Sequence, residues 1–258
     1  IVPLFYVETL ADLGKQVGKG RTPEQIVGNL AEKTPPNSAA NVHHRTLAIA
    51  ELTENFVVTM DRRPVVAGGR PAVTKMQRGV FFAPSPEMEA FTRWQHGRFL
   101  EIEREFARTW RRGLSGIDLD TIYREYRCKL SSLDDAKGAA IRFIAESPYS
   151  TLKLAYKSLE IDERVQKSIT ARWGQLGCPP LPSFAPYTSH VMSVDLFFNY
   201  AVGADLISRE RASNKIDVAY LYYLPFCMIF TSNDSLHERT SKCFLRDDQL
   251  FLKGRDLK

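Results

Sequence analysis

Apolar residues run almost unbroken from Val218 to Leu224 and again from Phe226 to Phe230, with Pro225 between them and the polar turn Thr231-Ser232-Asn233-Asp234 behind them. A stretch that is apolar all round suits a helix packed in a core. A continuous apolar run of strand length suits a buried parallel strand. The pattern therefore predicts helix, break at Pro225, strand and turn across residues 213–234. At the start of the chain, Ile1 to Phe5 reads as a short apolar strand, and Tyr6 to Leu13 as helical turns ended by Gly14. Helical periodicity then predicts segments at Pro23 to Lys33, His43 to Asn55, Pro86 to Arg112, Asp118 to Leu130, Leu133 to Glu146, Ser150 to Trp173 and Thr188 to Arg211. Ser85 is the expected N-cap of the segment that begins at Pro86. The run from Cys178 to Pro186 holds four prolines and reads as a linker. Residues 243–258 offer one or two short strands.

Composition adds bounds rather than a function. With 258 residues, 44% of them hydrophobic and 25% charged, the chain matches an ordinary soluble globular protein. The longest apolar run is interrupted by Pro225, so no membrane span is expected, and no signal peptide is visible. Cys128, Cys178, Cys227 and Cys243 form no CxxC pair, which fits reduced thiols in a cytoplasmic protein and neither a zinc site nor a disulfide framework. A net charge of +5 is compatible with a nucleic-acid partner. The most basic segment carries Arg93, Arg98, Arg104, Arg108, Arg111 and Arg112 among Glu101, Glu103 and Glu105. That alternation favours a solvated face of ion pairs over a nucleic-acid groove. Gly68-Gly69 lacks the spacing of a phosphate loop.

The acidic residues change the picture. Asp217 has a structural explanation as the third helical residue behind an Asn214 N-cap, Asp234 as the N-cap of a helix from Ser235, and Glu8 as an exposed acid on a first turn. Taken together, three acids stand at the edges of three separate apolar elements. Convergence at one sheet edge is the natural outcome. Carboxylates gathered there repel one another until a cation neutralises them, and an all-oxygen set favours Mg²⁺ or Mn²⁺. Such a site activates water against a phosphodiester. His237, three residues beyond Asp234, is either a phosphate contact or a surface histidine. His43 and His44 suit the surface of a helix, pointing in different directions. Asp195, on an otherwise apolar helix, either reaches the acidic edge or forms a buried pair with Arg209 or Arg211.

The order VPLFYVETLADL, then NKIDVAYLYYLPF, then IFTSND resembles the PIN domain of metal-dependent nucleases. The resemblance implies an α/β fold, a three-layer sandwich with a parallel central sheet, in which Glu8, Asp217 and Asp234 match the family's second, third and fourth acids and bind Mg²⁺ or Mn²⁺. The family's first acid, on a preceding strand, has no counterpart in the sequence. Thr231, Ser232 and Asn233 match the polar turn that supports the last acid and the attacking water. On this reading residues 1–14 and 188–258 form a discontinuous core, and residues 15–187 a mainly helical insertion whose Arg104, Arg108, Arg111 and Arg112 contact phosphates. The implied activity is hydrolysis of nucleic acid, RNA before DNA. The alternative is a catalytically silent interaction module, and a regulatory protein partner or a homo-oligomer are further expectations.

Overall fold

The computed structural model describes residues 1–15, 20–35, 40–53, 58–66, 70–73, 78–81 and 86–256, so that Ser85 and Gly68-Gly69 lie outside the described residues. The helices are α1 (Pro3–Ala11), α2 (Pro23–Glu32), α3 (His44–Thr53), α4 (Pro86–Gln95), α5 (Glu101–Ser115), α6 (Leu119–Glu125), α7 (Leu133–Glu146), α8 (Pro148–Ser158), α9 (Glu163–Gln175), α10 (Leu181–Phe184), α11 (Pro186–Gly203), α12 (Asn214–Ala219) and α13 (Ser235–Phe244). The strands are β1 (Arg70–Val73) and β2 (Arg78–Phe81), an antiparallel pair, and β3 (Ile229–Ser232) and β4 (Leu250–Lys253), a parallel pair. This corrects the expected α/β class: among the described residues the fold is mainly helical, and its only parallel sheet has two strands in place of the central sheet of a PIN-like sandwich. No described helix is long and apolar enough to cross a membrane.

The chain divides into two compact units, one formed by Ile1–Val42 and Pro64–Ile117, the other by His43–Arg63 and Asp118–Lys258. In the first, the expected opening strand is a helix. Pro3 occupies the first turn of α1, where its fixed φ is already helical and its missing N–H is not needed. The apolar residues that looked like a strand then serve a helical core, in which Leu10, Leu13, Val27, Phe91, Trp94 and Ala107 are buried, with Phe5 and Tyr6 packed against them. The long helix expected from Pro86 to Arg112 is two helices. Gly97 adopts φ +68°, a left-handed conformation suited to glycine, and ends the first. Glu103 starts the second by accepting from the Leu100 N–H at 2.8 Å.

The second unit is built around α11, whose Tyr187, Met192, Phe197, Phe198 and Val202 are at most marginally exposed. Helices α3, α6, α7, α8, α10 and α12 pack around it. The expected proline-rich linker is part of this core, because Pro180 and Pro182 stand where a helix start tolerates proline and Leu181, Phe184 and Ala185 are buried. The expected helix from Ser150 to Trp173 breaks at Glu160, which has φ +48°, and Asp162 restarts it as the N-cap of α9. Arg45 caps the end of α8 through the carbonyls of Leu159 and Glu160. Pro225 does not break the chain as expected: a 3₁₀ helix runs through it from Tyr220 to Phe226.

Gly203 is fixed by the crossing of α11 and α6. A Cβ there would stand 2.1 Å from the carbonyl oxygen of Tyr126, a backbone atom that cannot rotate away. Gly203→Ala is therefore expected to cost about 3 kcal/mol through displaced backbone. A urea midpoint unchanged from wild type would show that the crossing relaxes freely.

Candidate functional site

The parallel pair β3–β4 ends with Ser232 opposite Lys253, and the chain turns there through Asn233 into α13. Asn233 is held by the Arg255 backbone N–H, which donates to its Oδ1 at 2.9 Å, while Gly254 lies so close that a Cβ would stand 3.1 Å from the Asn233 amide. Asp234 is the N-cap of α13, its Oδ1 accepting from the Leu236 N–H at 2.6 Å. Thr231, Asn233 and Asp234 are exposed, and Ser232 is half-buried.

His237 ties this turn to α12. Its Nε2 lies 2.8 Å from the carbonyl oxygen of Asp217 and its Nδ1 2.8 Å from Ser232 Oγ. A carbonyl can only accept, so Nε2 carries the proton. With one proton on the ring, Nδ1 accepts a hydrogen bond from the Ser232 hydroxyl, and Ser232 Oγ accepts from the Asp234 N–H at 3.0 Å. The ring is buried between Tyr220 and Phe230, with centroids 5.2 and 5.3 Å away. One relay of three hydrogen bonds thus joins the backbone of Asp234 to the backbone of Asp217. The ring is thus not the surface histidine expected, and with both nitrogens bonded inside the protein it holds the turn in place rather than reaching out to a phosphate.

Asp217 is the fourth residue of α12. The expected Asn214 N-cap is replaced by a different use of that side chain, which donates to the Ser208 carbonyl at 2.9 Å. Burial pushes the Asp217 carboxyl up to about 6 from an ordinary 3.8, the negative charge of Asp234 pushes in the same direction, and Arg211 opposes them weakly. The two aspartates therefore share one electrostatic environment. Carboxylate oxygens are the donor type that Mg²⁺ takes, and Mg²⁺ completes its shell with water and phosphate oxygens. Among the described residues, no group of three or more His, Cys, Asp or Glu is arranged to hold a metal ion.

Glu8 belongs to the first unit and Asp217 and Asp234 to the second. The arginines of α5 are spent internally: Arg104 on Glu24 and Glu101, Arg108 on Glu101, Arg111 on Asp12 and the Ala11 carbonyl, and Arg112 on Thr109. Asp195 pairs with Lys215 at 2.6 Å and accepts from Tyr222 Oη at 2.5 Å, in place of the expected Arg209 or Arg211. The rings of His43 and His44 lie 4.2 Å apart at a tilt of 34° rather than diverge. Burial drives His44 down to about 3, so it is neutral beside the Tyr223 hydroxyl at 3.2 Å. Sequence reading missed this network because an apolar helix with one aspartate does not show which cation answers it.

No family model matches the chain, and neither does any curated protein or solved structure.

Proposed function

We propose that the protein is a metal-dependent nuclease that hydrolyses phosphodiester bonds, RNA in preference to DNA, at the edge formed by Ser232, Asn233, Asp234 and Asp217. The observation that carries the reading is the His237 relay, which holds two aspartate-bearing segments of different elements together at the end of a parallel strand pair. The resemblance of NKIDVAYLYYLPF and IFTSND to PIN-domain nucleases supports it. Asp217 and Asp234 would hold Mg²⁺ or Mn²⁺, which supplies an acidified water and neutralises charge on the phosphate. Without the cation Asp217 keeps its proton up to about 6, so binding of the cation there would displace that proton and should weaken at acid pH. Asn233, exposed at the same turn, would support the attacking water, and Ser232 and His237 keep the turn in register.

A second reading, an interaction module without catalysis, is favoured by one feature. Met228, Ile229 and Leu250 are 60%, 48% and 59% exposed at the beginning of the paired strands. Large apolar side chains shown to solvent in one place mark contact surfaces.

The two readings part in a single assay: labelled single-stranded RNA and DNA incubated with the protein in Mg²⁺, in Mn²⁺ and in EDTA, beside an Asp217→Asn, Asp234→Asn double variant. Cleavage that needs the cation and vanishes in the folded variant is the expected result. Equal residual cleavage by both proteins, or none in any buffer, would sink the nuclease reading and leave the interaction module.

A further inference from the structure

Away from the carboxylate edge, α8 and α9 enclose an open groove of about 600 Å³, lined by Tyr149, Leu152, Lys153, Tyr156, Lys167 and Thr170 among others. Its floor is fixed. Leu152 and Tyr156 are buried, and the Tyr156 hydroxyl is tied to Thr170 Oγ1 at 2.9 Å. Its rim is not tied down in the same way. Tyr149 is 56% exposed, a large aromatic ring that the core does not need, and Trp173 stacks with it at 6.4 Å and braces it. Lys153 and Lys167 are exposed, and neither has a carboxylate partner among the described residues. The contrast with α5 is direct, since the arginines there are consumed by internal acids and acceptors. The one acid lining the groove is Glu163, at the first turn of α9, next to the Asp162 N-cap and the positive end of the helix.

We infer that the α8–α9 groove binds single-stranded nucleic acid, with Lys153 and Lys167 on phosphates and Tyr149 as the face on which a base stacks. An aromatic ring flanked by unpaired cations is the combination that sequence-tolerant single-strand binders use. Lys153 Nζ now rests over the Tyr149 ring at 4.5 Å. An exposed ammonium–ring contact is the weaker interaction, so an arriving phosphate draws the ammonium aside and a base takes the ring. The groove volume accommodates a nucleotide unit, and the chain's net charge of +5 favours approach of a polyanion. An acidic peptide would use the lysines but gain little from the ring. The inference does not depend on the nuclease reading, because binding is measured without cleavage.

The test is fluorescence anisotropy of the full chain with a fluorescein-labelled 12-mer of oligouridylate, in EDTA so that no metal-dependent hydrolysis intervenes. Three variants are compared: Lys153→Glu with Lys167→Glu, Tyr149→Ala, and the charge-matched control Arg127→Glu with Lys129→Glu, whose positions are also exposed. Far-UV circular dichroism establishes that each is folded. The groove double variant is expected to bind at least roughly tenfold more weakly, with a salt dependence shallower by about 1.4, the share of two phosphate contacts on a single strand. Tyr149→Ala is expected to weaken binding about tenfold with the salt dependence unchanged. Equal losses in the groove and control charge variants, or an unaffected Tyr149→Ala, would overturn the assignment. So would labelled oligoglutamate that binds through Lys153 and Lys167 where oligouridylate does not, which would make the groove a peptide site.

Discussion

Asp217→Asn is expected to lower metal-dependent cleavage roughly 100-fold or more while making the metal-free protein more stable at pH 8. The two effects have one cause. A carboxylate half-buried beside Asp234 is costly when ionised, and asparagine keeps its shape without the charge. Because the native carboxyl titrates near 6 and the unfolded one near 3.8, the native state binds more protons between those values. Stability therefore falls as pH rises through that window, and the full cost is present above about 6. With allowance for solvent screening of a partly exposed group, the variant should gain about 1 kcal/mol, or about 2–4 °C in Tm, at pH 8. Below pH 4, where both forms are neutral, the gain should disappear. Saturating Mg²⁺ or Mn²⁺ should reverse the order, raising Tm of wild type above that of the variant, since only the charged site gains from the cation. A variant less stable than wild type at pH 8 would show that Asp217 serves the fold as a helix-start acid instead.

This electrostatic conflict explains what the sequence disclosed about the site. The acids were legible because Asp217 and Asp234 flank the most apolar stretch of the chain, and a charged group next to such a stretch either caps a helix or performs chemistry. The helix-cap role of Asp234 was legible too, and the structure has it. The His237 relay was not, because it depends on the 3₁₀ path through Tyr220–Phe226, which brings the Asp217 carbonyl to the imidazole. Proline inside an apolar run suggested a break, but a 3₁₀ helix tolerates it. The same limit governs the fold. Helix α7 was read with its ends in place, because its amphipathic period is unambiguous, and in the structure Ser132 caps it. The opening five residues were read as a strand, because a short apolar run has no period of its own. Only the partners of Phe5, Leu10 and Leu13 decide that it is helical. The α/β class expected from the resemblance was lost with it, since the single parallel pair among the described residues cannot make a central sheet.

Glu51→Ala is expected to be the most damaging substitution in the second unit, at about 3–5 kcal/mol. Glu51 is completely buried on α3, yet it makes no ion pair among the described residues. Its Oε1 accepts from the N–H groups of Tyr187 and Val58 at 3.0 and 3.3 Å, and its Oε2 from the Thr188 N–H and hydroxyl at 2.7 and 2.9 Å. Tyr187 and Thr188 form the first turn of α11, whose N-cap, Ala185, offers no side-chain acceptor. Glu51 is therefore the cap of α11 supplied from another helix, and the positive end of that helix replaces the missing cation. Removing it leaves three buried amide donors without an acceptor and opens a void at the start of the central helix. Glu51→Gln is expected to recover only part of the loss, because its amide must turn an N–H₂ group toward backbone donors. The sequence does contain the signal: Leu47, Ala48, Glu51 and Leu52 share one face of α3, and a lone acid on a buried face must have acceptor work to do. Its α11 partners, Tyr187 and Thr188, lie more than a hundred residues away, so their identity required the fold. Urea denaturation followed by tryptophan fluorescence checks the ranking. A loss below about 1 kcal/mol for Glu51→Ala would mean that water enters and satisfies the helix start. The consequence for the site follows from α11 itself: Asp195 on that helix anchors Lys215 on α12, so loosening its start also loosens the element that presents Asp217.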